Sequence, residues 1–381
     1  MTAMGPRKVA LVVGQLQLGG AERQLFELAV RLDPRRYEPV VVCLSEVSEP
    51  FGARLRERGV RVEVLRRATH RDPARAWRLA RLLGREEPAL AHSFLLVANA
   101  YVWMAAGLTR LAGGRRLARI ASSRTCIPPA GRWTLAVHAR AFRTADAVVA
   151  NSQRVMEFTR DLYGVDESRF RIIPNGIDLP KVADARERAA VRRELGVPDN
   201  AVAIGSVGRL APEKNPSMLL EVMATLAARG ASLPPMTLVL VGEGPERQTL
   251  ARLAARPELA NCVVLAGARA DVPRVLGAFD LFVTASSTEG MPNAVMEAMA
   301  AGLPVVATRV GGTGEVMREE VEGFLVEAGD AAAMARRVAT LVEEPETRLR
   351  LGAAGRARIE RDFGVAAMVE RTTALYDEVV A

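Results

Sequence analysis

Short apolar runs alternate with longer amphipathic stretches along the first half of the chain. Each run has six or seven residues rich in Val, Leu and Ala, which is typical of strands buried inside a parallel sheet. The stretches between them repeat apolar residues at helical spacing. The pattern predicts strands at 9–14, 39–44, 60–65, 89–94 and 146–152, and helices at 20–32, 51–59, 73–86, 97–112 and 131–144.

The same rhythm begins again after residue 200 and continues almost to the end of the chain. A last amphipathic stretch, 365–380, follows a break at Asp362–Gly364. In this half the pattern predicts strands at 203–210, 236–242, 262–267, 281–286 and 304–309, and helices at about 215–230, 245–256, 271–278, 293–302, 313–318 and 331–343.

Because the alternation of predicted strands and helices begins again in the second half, the sequence predicts two domains. The strand-turn segment 172–178 (IIPNGID) ends the first half, and a charged, helix-prone stretch, 181–195, leads to the second. The length of 381 residues also exceeds the roughly 250–300 residues that a single core usually holds. We expect an α/β fold with two doubly wound, Rossmann-like domains that face a central cleft. Their expected limits are 1–180 and 181–364, with the final helix, 365–381, packed back on the first domain.

The composition, the cysteine positions and the N-terminus indicate the cellular compartment in which the protein is expected. Apolar residues make up 49% and charged residues 25% of the chain, as in ordinary globular proteins. Cys43, Cys126 and Cys262 lie far apart and form no CxxC pair, which argues against a disulfide framework or a thiolate zinc site. The N-terminus has no signal-peptide layout, so we expect a cytoplasmic protein.

One uncharged stretch is long enough to span a bilayer. No charged residue occurs between Ala89 and Thr109, and about 20 apolar residues suffice for a transmembrane helix. His92, Ser93 and Asn99 interrupt the stretch, however, and its first part has the pattern of a strand. A buried strand followed by a helix is the preferred interpretation.

Positive charge is concentrated in the first half. Residues 1–180 contain 29 Lys and Arg against 17 Asp and Glu, and the segment from Pro88 to Ala145 contains eight arginines and no acid. The arginines either belong to ordinary solvated faces or form a patch for an anionic membrane or a phosphorylated acceptor. Nucleic acid is a weaker alternative, because recognition motifs are absent and aromatic residues are scarce.

Two loops have the composition of anion-binding sites. Adjacent Gly19 and Gly20 precede a predicted helix, whose N-terminal N–H groups can bind an anion. A plain strand-to-helix turn would use glycine as well. In segment 208–216 (GRLAPEKNP), Arg209 offers a planar fork and Lys214 a point charge, a combination suited to a diphosphate. The alternative is two exposed cations in a loop.

Two carboxylates eight residues apart enclose a Gly-Met-Pro-Asn turn that opens a helix. Glu289 precedes this turn, and Glu297 lies one turn inside the helix if the helix begins near Asn293. Sugar and ribose hydroxyls favour carboxylate acceptors, and a phosphate favours the opening turn of a helix. An acid near a helix start also satisfies the helix dipole, but this does not explain Glu289.

Other features argue against cofactors. Segments 242–245 (GEGP) and 311–315 (GGTGE) each follow a predicted strand and precede a predicted helix, and a tight turn is the preferred interpretation of the first. The sequence has no Asp-x-Asp, HExxH, P-loop or GxSxG motif, and His70, His92 and His138 lack metal-ligand spacing. We expect neither a metal nor a cofactor.

Taken together, five segments resemble glycosyltransferase family 4 (glycosyl transferases group 1), whose members are retaining enzymes with the GT-B fold. The similarity runs in order over nearly the whole chain and is densest from 173 to 326. The segments are GGAER (19–23), IPNGID (173–178), GRLAPEKN (208–215), LVLVGEGPER (238–247) and SSTEGMPNAVMEAMAAGLPVVAT (286–308).

The resemblance implies roles for the matching residues. Arg209 and Lys214 would hold the donor diphosphate, Glu289 the hydroxyls of the transferred sugar, and Glu297 the ribose. The implied catalytic residues are Glu289, Arg209, Lys214 and His92, and the implied donor-binding residues are Gly19, Gly20, Arg209, Lys214, Gly267, Arg269, Glu289, Gly290, Met291, Asn293, Ala294 and Glu297. Gly267 and Arg269 fall where the family holds the nucleobase. Transfer would be metal-independent.

One position departs from the family. Members often carry a functional histidine in a stretch resembling HSH-L-x-x-AN. Here the run is HSFLLVAN, in which His92 and Asn99 match the pattern and Phe94 stands in place of the second histidine. If the second histidine contacts the sugar, that role is vacant, and His92 is only a strand-end residue.

The expected function is transfer of a sugar from a UDP- or GDP-linked donor to a glycan, lipid-linked or small-molecule acceptor, in the synthesis of cell-surface polysaccharide or glycoconjugates. An anionic membrane surface is a possible partner, which would make the protein peripheral at the inner face of the membrane. Two alternatives stay open: a sugar-nucleotide epimerase of the GT-B fold, and a binding subunit without turnover.

Overall fold

The computed structural model describes residues 5–66, 72 and 74–381. The chain divides into two units, which are described separately. The first unit runs to Gly176 and includes Val365–Ala381, and the second is Ile177–Gly364. His70 lies outside the described residues.

The first unit contains a seven-stranded parallel sheet. Its order is β3-β2-β1-β4-β5-β6-β7, and its strands are β1 (Arg7–Val13), β2 (Tyr37–Cys43), β3 (Arg61–Val64), β4 (Leu90–Phe94), β5 (Ala118–Ser123), β6 (Ala147–Ala150) and β7 (Phe170–Ile172). Val9, Leu11 and Val13 contribute to one hydrophobic core, while Ala10 and Val12 contribute to another. Because successive side chains of a strand point to opposite faces, the sheet is covered on both sides.

Helices follow most of these strands. They are α1 (Gly20–Ala29), α2 (Phe51–Glu57), α3 (Ala74–Glu86), α4 (Leu95–Ala106), α5 (Arg132–Arg143) and α6 (Gln153–Tyr163). The uncharged stretch 89–109 contains β4 and α4, which confirms the strand-helix interpretation. Among the described residues, no helix combines the length and the apolar character needed to cross a membrane.

The C-terminal helix, Val365–Val380, packs on the sheet of the first unit. Met368 and Leu375 join the core that contains β1. The hydroxyl of Tyr37 donates a hydrogen bond of 2.7 Å to Oδ1 of Asp377. Strand and helix residues more than 300 positions apart therefore belong to one unit.

The second unit contains a six-stranded parallel sheet of order β10-β9-β8-β11-β12-β13. Its strands are β8 (Val202–Val207), β9 (Met236–Val241), β10 (Val263–Gly267), β11 (Leu281–Thr284), β12 (Val305–Thr308) and β13 (Gly323–Val326). Its helices are α7 (Ala185–Glu194), α8 (Pro216–Ala227), α9 (Arg247–Ala254), α10 (Val272–Leu276), α11 (Asn293–Ala300), α12 (Thr313–Val316), α13 (Ala331–Glu343) and α14 (Pro345–Asp362).

The strand order reverses between β8 and β11. Open α/β sheets bind ligands at such a switch point, beyond the carboxyl ends of the strands. The loops that carry Arg209, Lys214 and Glu289 begin at these two strand ends. In the first unit, β1 and β4 form the equivalent reversal.

The sequence pattern missed five elements: β5, α6, β7, β13 and α14. Strand β5 (ARIASS) has only one large apolar residue, and β7 has three residues. Helix α14 is rich in arginine and contains Gly352. A Cβ on Gly352 would lie 2.1 Å from the carbonyl oxygen of Gly302, so close packing explains this glycine within a helix.

Candidate active site

Two glycine-containing loops lie against each other beyond β8 and β9. A Cβ on Gly242, whose φ is +145°, would lie 1.9 Å from the carbonyl oxygen of Gly208. A Cβ on Gly244 would lie 2.2 Å from the carbonyl oxygen of Leu210. Since real Cβ atoms do not approach so closely, these glycines serve the packing of two loops as well as a turn. They support the loop that carries Arg209 and Lys214.

Lys214 and Glu289 form an ion pair at the switch point. Nζ of Lys214 lies 2.6 Å from Oε1 of Glu289. The hydroxyl of Ser286 donates a hydrogen bond of 2.8 Å to the same oxygen. The side chain of Lys214 is 33% exposed and that of Glu289 is 13% exposed. Two predicted site residues, 75 positions apart in the sequence, therefore meet.

Backbone contacts fix the segment before Glu289. The N–H of Ser287 donates a 2.9 Å hydrogen bond to the carbonyl of Glu213, which links the loops beyond β11 and β8. The hydroxyl of Thr308, at the end of β12, donates a 2.6 Å bond to the carbonyl of Ser286. The segment that leads to Glu289 is therefore fixed by hydrogen bonds to the loop beyond β8 and to the end of β12.

A third glycine loop supports Glu289 from beyond β12. Gly311 has a φ of +52°, and a Cβ on it would lie 1.8 Å from the carbonyl oxygen of Glu289. The N–H of Gly312 donates a 2.8 Å bond to the carbonyl of Gly290. The sequence indicated only that this glycine segment follows a strand and precedes a helix, whereas the structure shows a support for the predicted sugar-binding residue.

Helix α11 begins at Asn293, as predicted. Its N-cap residue, Pro292, has no side-chain group that could accept from the N–H groups of the first turn, and the first turn of a helix is a position that suits an anion. Asn293 and Glu297 are half-buried and lie one turn apart, whereas Met296 and Ala298 are buried. The half-buried face of α11 therefore carries the second carboxylate of the predicted pair.

Several of the predicted site residues form ion pairs, and Arg209 is the most exposed of these residues. Its side chain is 66% exposed and pairs with Glu213, four positions later in the same loop. Burial raises the pKa of the Glu213 carboxyl, but a bond from its own backbone N–H, the pair with Arg209 and the charge of Lys214 together lower that pKa below its ordinary value. An arriving diphosphate would compete with Glu213 for the guanidinium of Arg209.

The loop after β10 has a different character. Gly267 ends β10 with a φ of +72°, and its carbonyl accepts a 2.8 Å bond from the N–H of Gly242. The guanidinium of Arg269 donates two bonds of 2.8 Å to Asp271 and one of 2.5 Å to Glu194. These bonds raise the pKa of Arg269. Its side chain is already held by two carboxylates, and its contact with a nucleobase stays a prediction.

In the first unit, the predicted glycine loop faces an acid. Gly19 precedes α1, and a Cβ on it would lie 2.2 Å from a carboxyl oxygen of Glu22. Glu22 is 5% exposed. Burial raises its pKa, while bonds from its own N–H and Gln15 and the charge of Arg124 lower it. An anion at Gly19 and Gly20 would have to share this helix terminus with Glu22.

His92 lies in the interior of the first unit. Its Nδ1 is 2.8 Å from the hydroxyl of Tyr376, and its Nε2 is 2.8 Å from the hydroxyl of Ser122. The side chain is 1% exposed. Because both ring nitrogens have buried partners, this geometry does not support a direct catalytic contact. His92 joins the sheet to the C-terminal helix.

Arg124 is a candidate that the sequence analysis missed. It follows β5 directly, with its guanidinium 5.0 Å from the ring centroid of Phe94. Nη1 donates a 2.8 Å bond to Asn175, and the buried Nε has no hydrogen-bond partner among the described residues. Burial lowers the pKa of Arg124 to about 10, so it stays protonated at neutral pH. A cation therefore lies beside Phe94, at the position where the family often has histidine.

Comparisons with known proteins identify the family. The family model described as "Glycosyltransferase Family 4" matches residues 18–181, and the model described as "Glycosyl transferases group 1" matches residues 187–358. The chain therefore belongs to glycosyltransferase family 4.

Curated relatives are similar over part of their length. The chain is 30% identical over 223 residues to the UDP-Gal:alpha-D-GlcNAc-diphosphoundecaprenol alpha-1,3-galactosyltransferase of Escherichia coli, with 58% of this chain and 57% of the relative covered. It is 34% identical over 250 residues to the D-inositol 3-phosphate glycosyltransferase of Salinispora tropica, with 62% and 52% covered. The chain thus spans little more than half the length of these relatives.

Solved structures share the fold over whole chains. HepE of Anabaena in complex with UDP-glucose has a TM-score of 0.85 and 24% identity, with 98% of this chain and 100% of that chain covered. Sucrose-phosphate synthase of Thermosynechococcus elongatus has a TM-score of 0.78 and 20% identity, with 98% of both chains covered. These similarities confirm the GT-B class of two Rossmann-like α/β domains.

Proposed function

We propose that this protein is a retaining glycosyltransferase that transfers a sugar from a UDP- or GDP-linked donor to an acceptor hydroxyl. The ion pair between Lys214 and Glu289 is the observation that carries the proposal. It joins a cation for a diphosphate to a carboxylate for sugar hydroxyls at the switch point of a doubly wound sheet. Family membership supports the same assignment.

The proposed reaction breaks the bond between the anomeric carbon and the β-phosphate oxygen of the donor. The nucleoside diphosphate departs with the bonding electrons, the acceptor oxygen bonds to the anomeric carbon, and the proton of the acceptor hydroxyl passes to the departing phosphate oxygen. Lys214 and Arg209 neutralise the charge that develops on the departing diphosphate. Glu289 accepts hydrogen bonds from the sugar, and Glu297 from the ribose.

We also propose that transfer needs no divalent cation and no cofactor. Metal-dependent transferases use a cation to neutralise the donor phosphates. Here two cationic side chains and the first turn of α11 offer positive charge to the same group. The protein would therefore replace a metal ion by fixed charges of its own.

The names of similar proteins support a range of substrates. HepE has been crystallised with UDP and UDP-glucose, and the Escherichia coli relative uses UDP-Gal and a diphosphoundecaprenol acceptor. For this chain we propose a glycan, lipid-linked or small-molecule acceptor in the synthesis of cell-surface polysaccharide or glycoconjugates. A lipid-linked acceptor would bring a cytoplasmic enzyme to the membrane surface.

A donor panel tests this function. UDP- and GDP-sugars are incubated with the protein, with and without candidate acceptors, and the released nucleotide and sugar products are measured. A transferase releases nucleoside diphosphate with at least one donor only when an acceptor is present. An epimerase converts the donor sugar without an acceptor, and a binding subunit shows donor binding without product, so either result would overturn the proposal.

A further inference from the structure

Helix α5 carries an exposed tryptophan beside unpaired arginines. Trp133 is 88% exposed, the highest value among the large apolar residues of the described chain. The side chains of Arg132 and Arg140 are exposed and form no hydrogen bond or ion pair with any described residue. Arg143, also exposed, donates one bond of 2.6 Å to the carbonyl of Tyr163.

These residues share one face of the helix. At about 100° per residue, Arg132, Arg143, Arg140 and Trp133 fall within an arc of roughly 100° around the axis of α5. His138 and Phe142 lie on another side and are buried. The basic residues are therefore not spread around the helix, and they form a stripe that ends in an aromatic ring.

An apolar groove of about 360 Å³ runs along this stripe. Its lining combines small and aliphatic side chains with the three arginines: Arg132, Leu135, Ala136, Ala139, Arg140, Arg143 and Leu162. An apolar floor under a rim of positive charge complements an amphiphile that has an anionic head. We call this surface, formed by the groove and Trp133, the α5 surface.

Most of the other arginines between 110 and 143 have partners within the protein. Arg116 pairs with Asp146, and Arg115 and Arg119 donate to backbone carbonyls. Arg124 donates to Asn175. A bond to a neutral oxygen leaves the charge of an arginine in place, so the α5 stripe is one part of the charge excess seen in the sequence. It is the part that lies beside an exposed aromatic ring and an apolar groove.

We propose that the α5 surface docks the protein on a bilayer that contains anionic phospholipid. Arginines attract lipid phosphates, and tryptophan favours the interface between headgroups and acyl chains. The sequence from Pro88 to Ala145 contains no acid that would repel such a surface. Docking of this kind needs no transmembrane helix and does not depend on the sugar-transfer reaction.

Vesicle co-sedimentation of the full-length chain tests the proposal. Vesicles of phosphatidylcholine with 30% phosphatidylglycerol are compared with pure phosphatidylcholine at low and high salt, where screening weakens surface attraction. The variants are Arg132→Ala/Arg140→Ala and Trp133→Ala. Their matched controls are Arg252→Ala/Arg256→Ala, which removes two exposed arginines of the second unit, and Trp77→Ala, since Trp77 is 52% exposed on α3. Circular dichroism and melting verify that each variant folds.

The wild type should bind the anionic vesicles at low salt, dissociate from them at high salt, and not bind the neutral vesicles. Each arginine near an acidic surface changes affinity by about fivefold, so Arg132→Ala/Arg140→Ala should bind roughly 20-fold more weakly. We expect Trp133→Ala to bind several-fold more weakly, while both controls stay within twofold of the wild type. The proposal is overturned if the wild type does not bind, binds both vesicles equally, or loses as much affinity in the controls.

Discussion

Nζ of Lys214 and Oε1 of Glu289 are 2.6 Å apart, and they come from loops beyond two strands that flank the reversal of strand order. Each side chain provides the other with an opposite charge. A donor that presents a diphosphate to Lys214 and a sugar to Glu289 would insert between partners that are already positioned. This relationship is the basis of the predictions below.

Removal of either cation should weaken donor use. We expect Arg209→Ala and Lys214→Ala each to lower kcat/KM by the equivalent of about 2–4 kcal/mol, because each loses a charged contact with the diphosphate. The effect of Lys214 should be the larger, since Arg209 is the more exposed. Steady-state kinetics measures both. Values within threefold of the wild type for both variants would contradict their assignment.

Chelation should not abolish transfer. Fixed cations and the first turn of α11 are proposed to neutralise the donor phosphates, so activity in EDTA should stay close to activity without it. The measurement is the initial rate with saturating donor after dialysis against EDTA, with and without added Mg²⁺ or Mn²⁺. Mild stimulation by a metal fits faster product release, whereas loss of activity that only a metal restores would refute metal independence.

Gly311→Ala should damage the site through the backbone of Glu289. The substituted residue would need a positive φ and a Cβ 1.8 Å from the carbonyl oxygen of Glu289, which we expect to cost about 1–3 kcal/mol of stability. Transfer should fall as Glu289 moves. The control is Gly314→Ala, three positions later, where a Cβ meets no atom within 4 Å. Equal melting temperatures and rates for the two variants would argue against this support.

His92 should make the protein less stable in acid. Burial, and secondarily the charge of Arg124, lower the pKa of His92 well below its ordinary value. The folded state therefore keeps His92 neutral, while the unfolded chain binds a proton below about pH 6.5. Stability is present above that pH and is lost as the pH falls below it, by up to about 1.4 kcal/mol per pH unit.

Urea unfolding of the wild type and His92→Gln at pH 7.5 and 5.5 measures this contribution. The wild type should lose more free energy of unfolding between the two pH values than the variant does. Equal losses would show that His92 does not titrate in this way.

Most of the fold was predictable because its strands are long apolar runs between glycine turns. The elements that escaped prediction lack this contrast. Strand β5 is made of small and polar residues, and its sheet position depends on neighbours β4 and β6 rather than on its own pattern. Arg124 was missed for the same reason. It directly follows β5, and an arginine becomes a candidate binding residue only once a strand is known to end beside it.

The site was predictable as a set of residues but not as a set of contacts. The motifs indicated Lys214 and Glu289 separately, and only the strand order brings them together. His92 shows the reverse case. Its position matches the motif in the sequence, whereas in the structure one of its ring nitrogens contacts Tyr376, 284 positions away. A long-range partner of this kind leaves no signal in the local pattern.

The assignment of Glu289 to the transferred sugar is the central claim, and Glu289→Gln tests it most directly. The measurement compares acceptor-dependent kcat/KM with the affinity for the nucleoside diphosphate alone, which has no sugar to contact. We predict a loss of about 100-fold in transfer, because the carboxylate acts where charge develops, and a nucleotide affinity within threefold of the wild type. Undiminished transfer, or a nucleotide affinity that falls as far as transfer does, would contradict this role of Glu289.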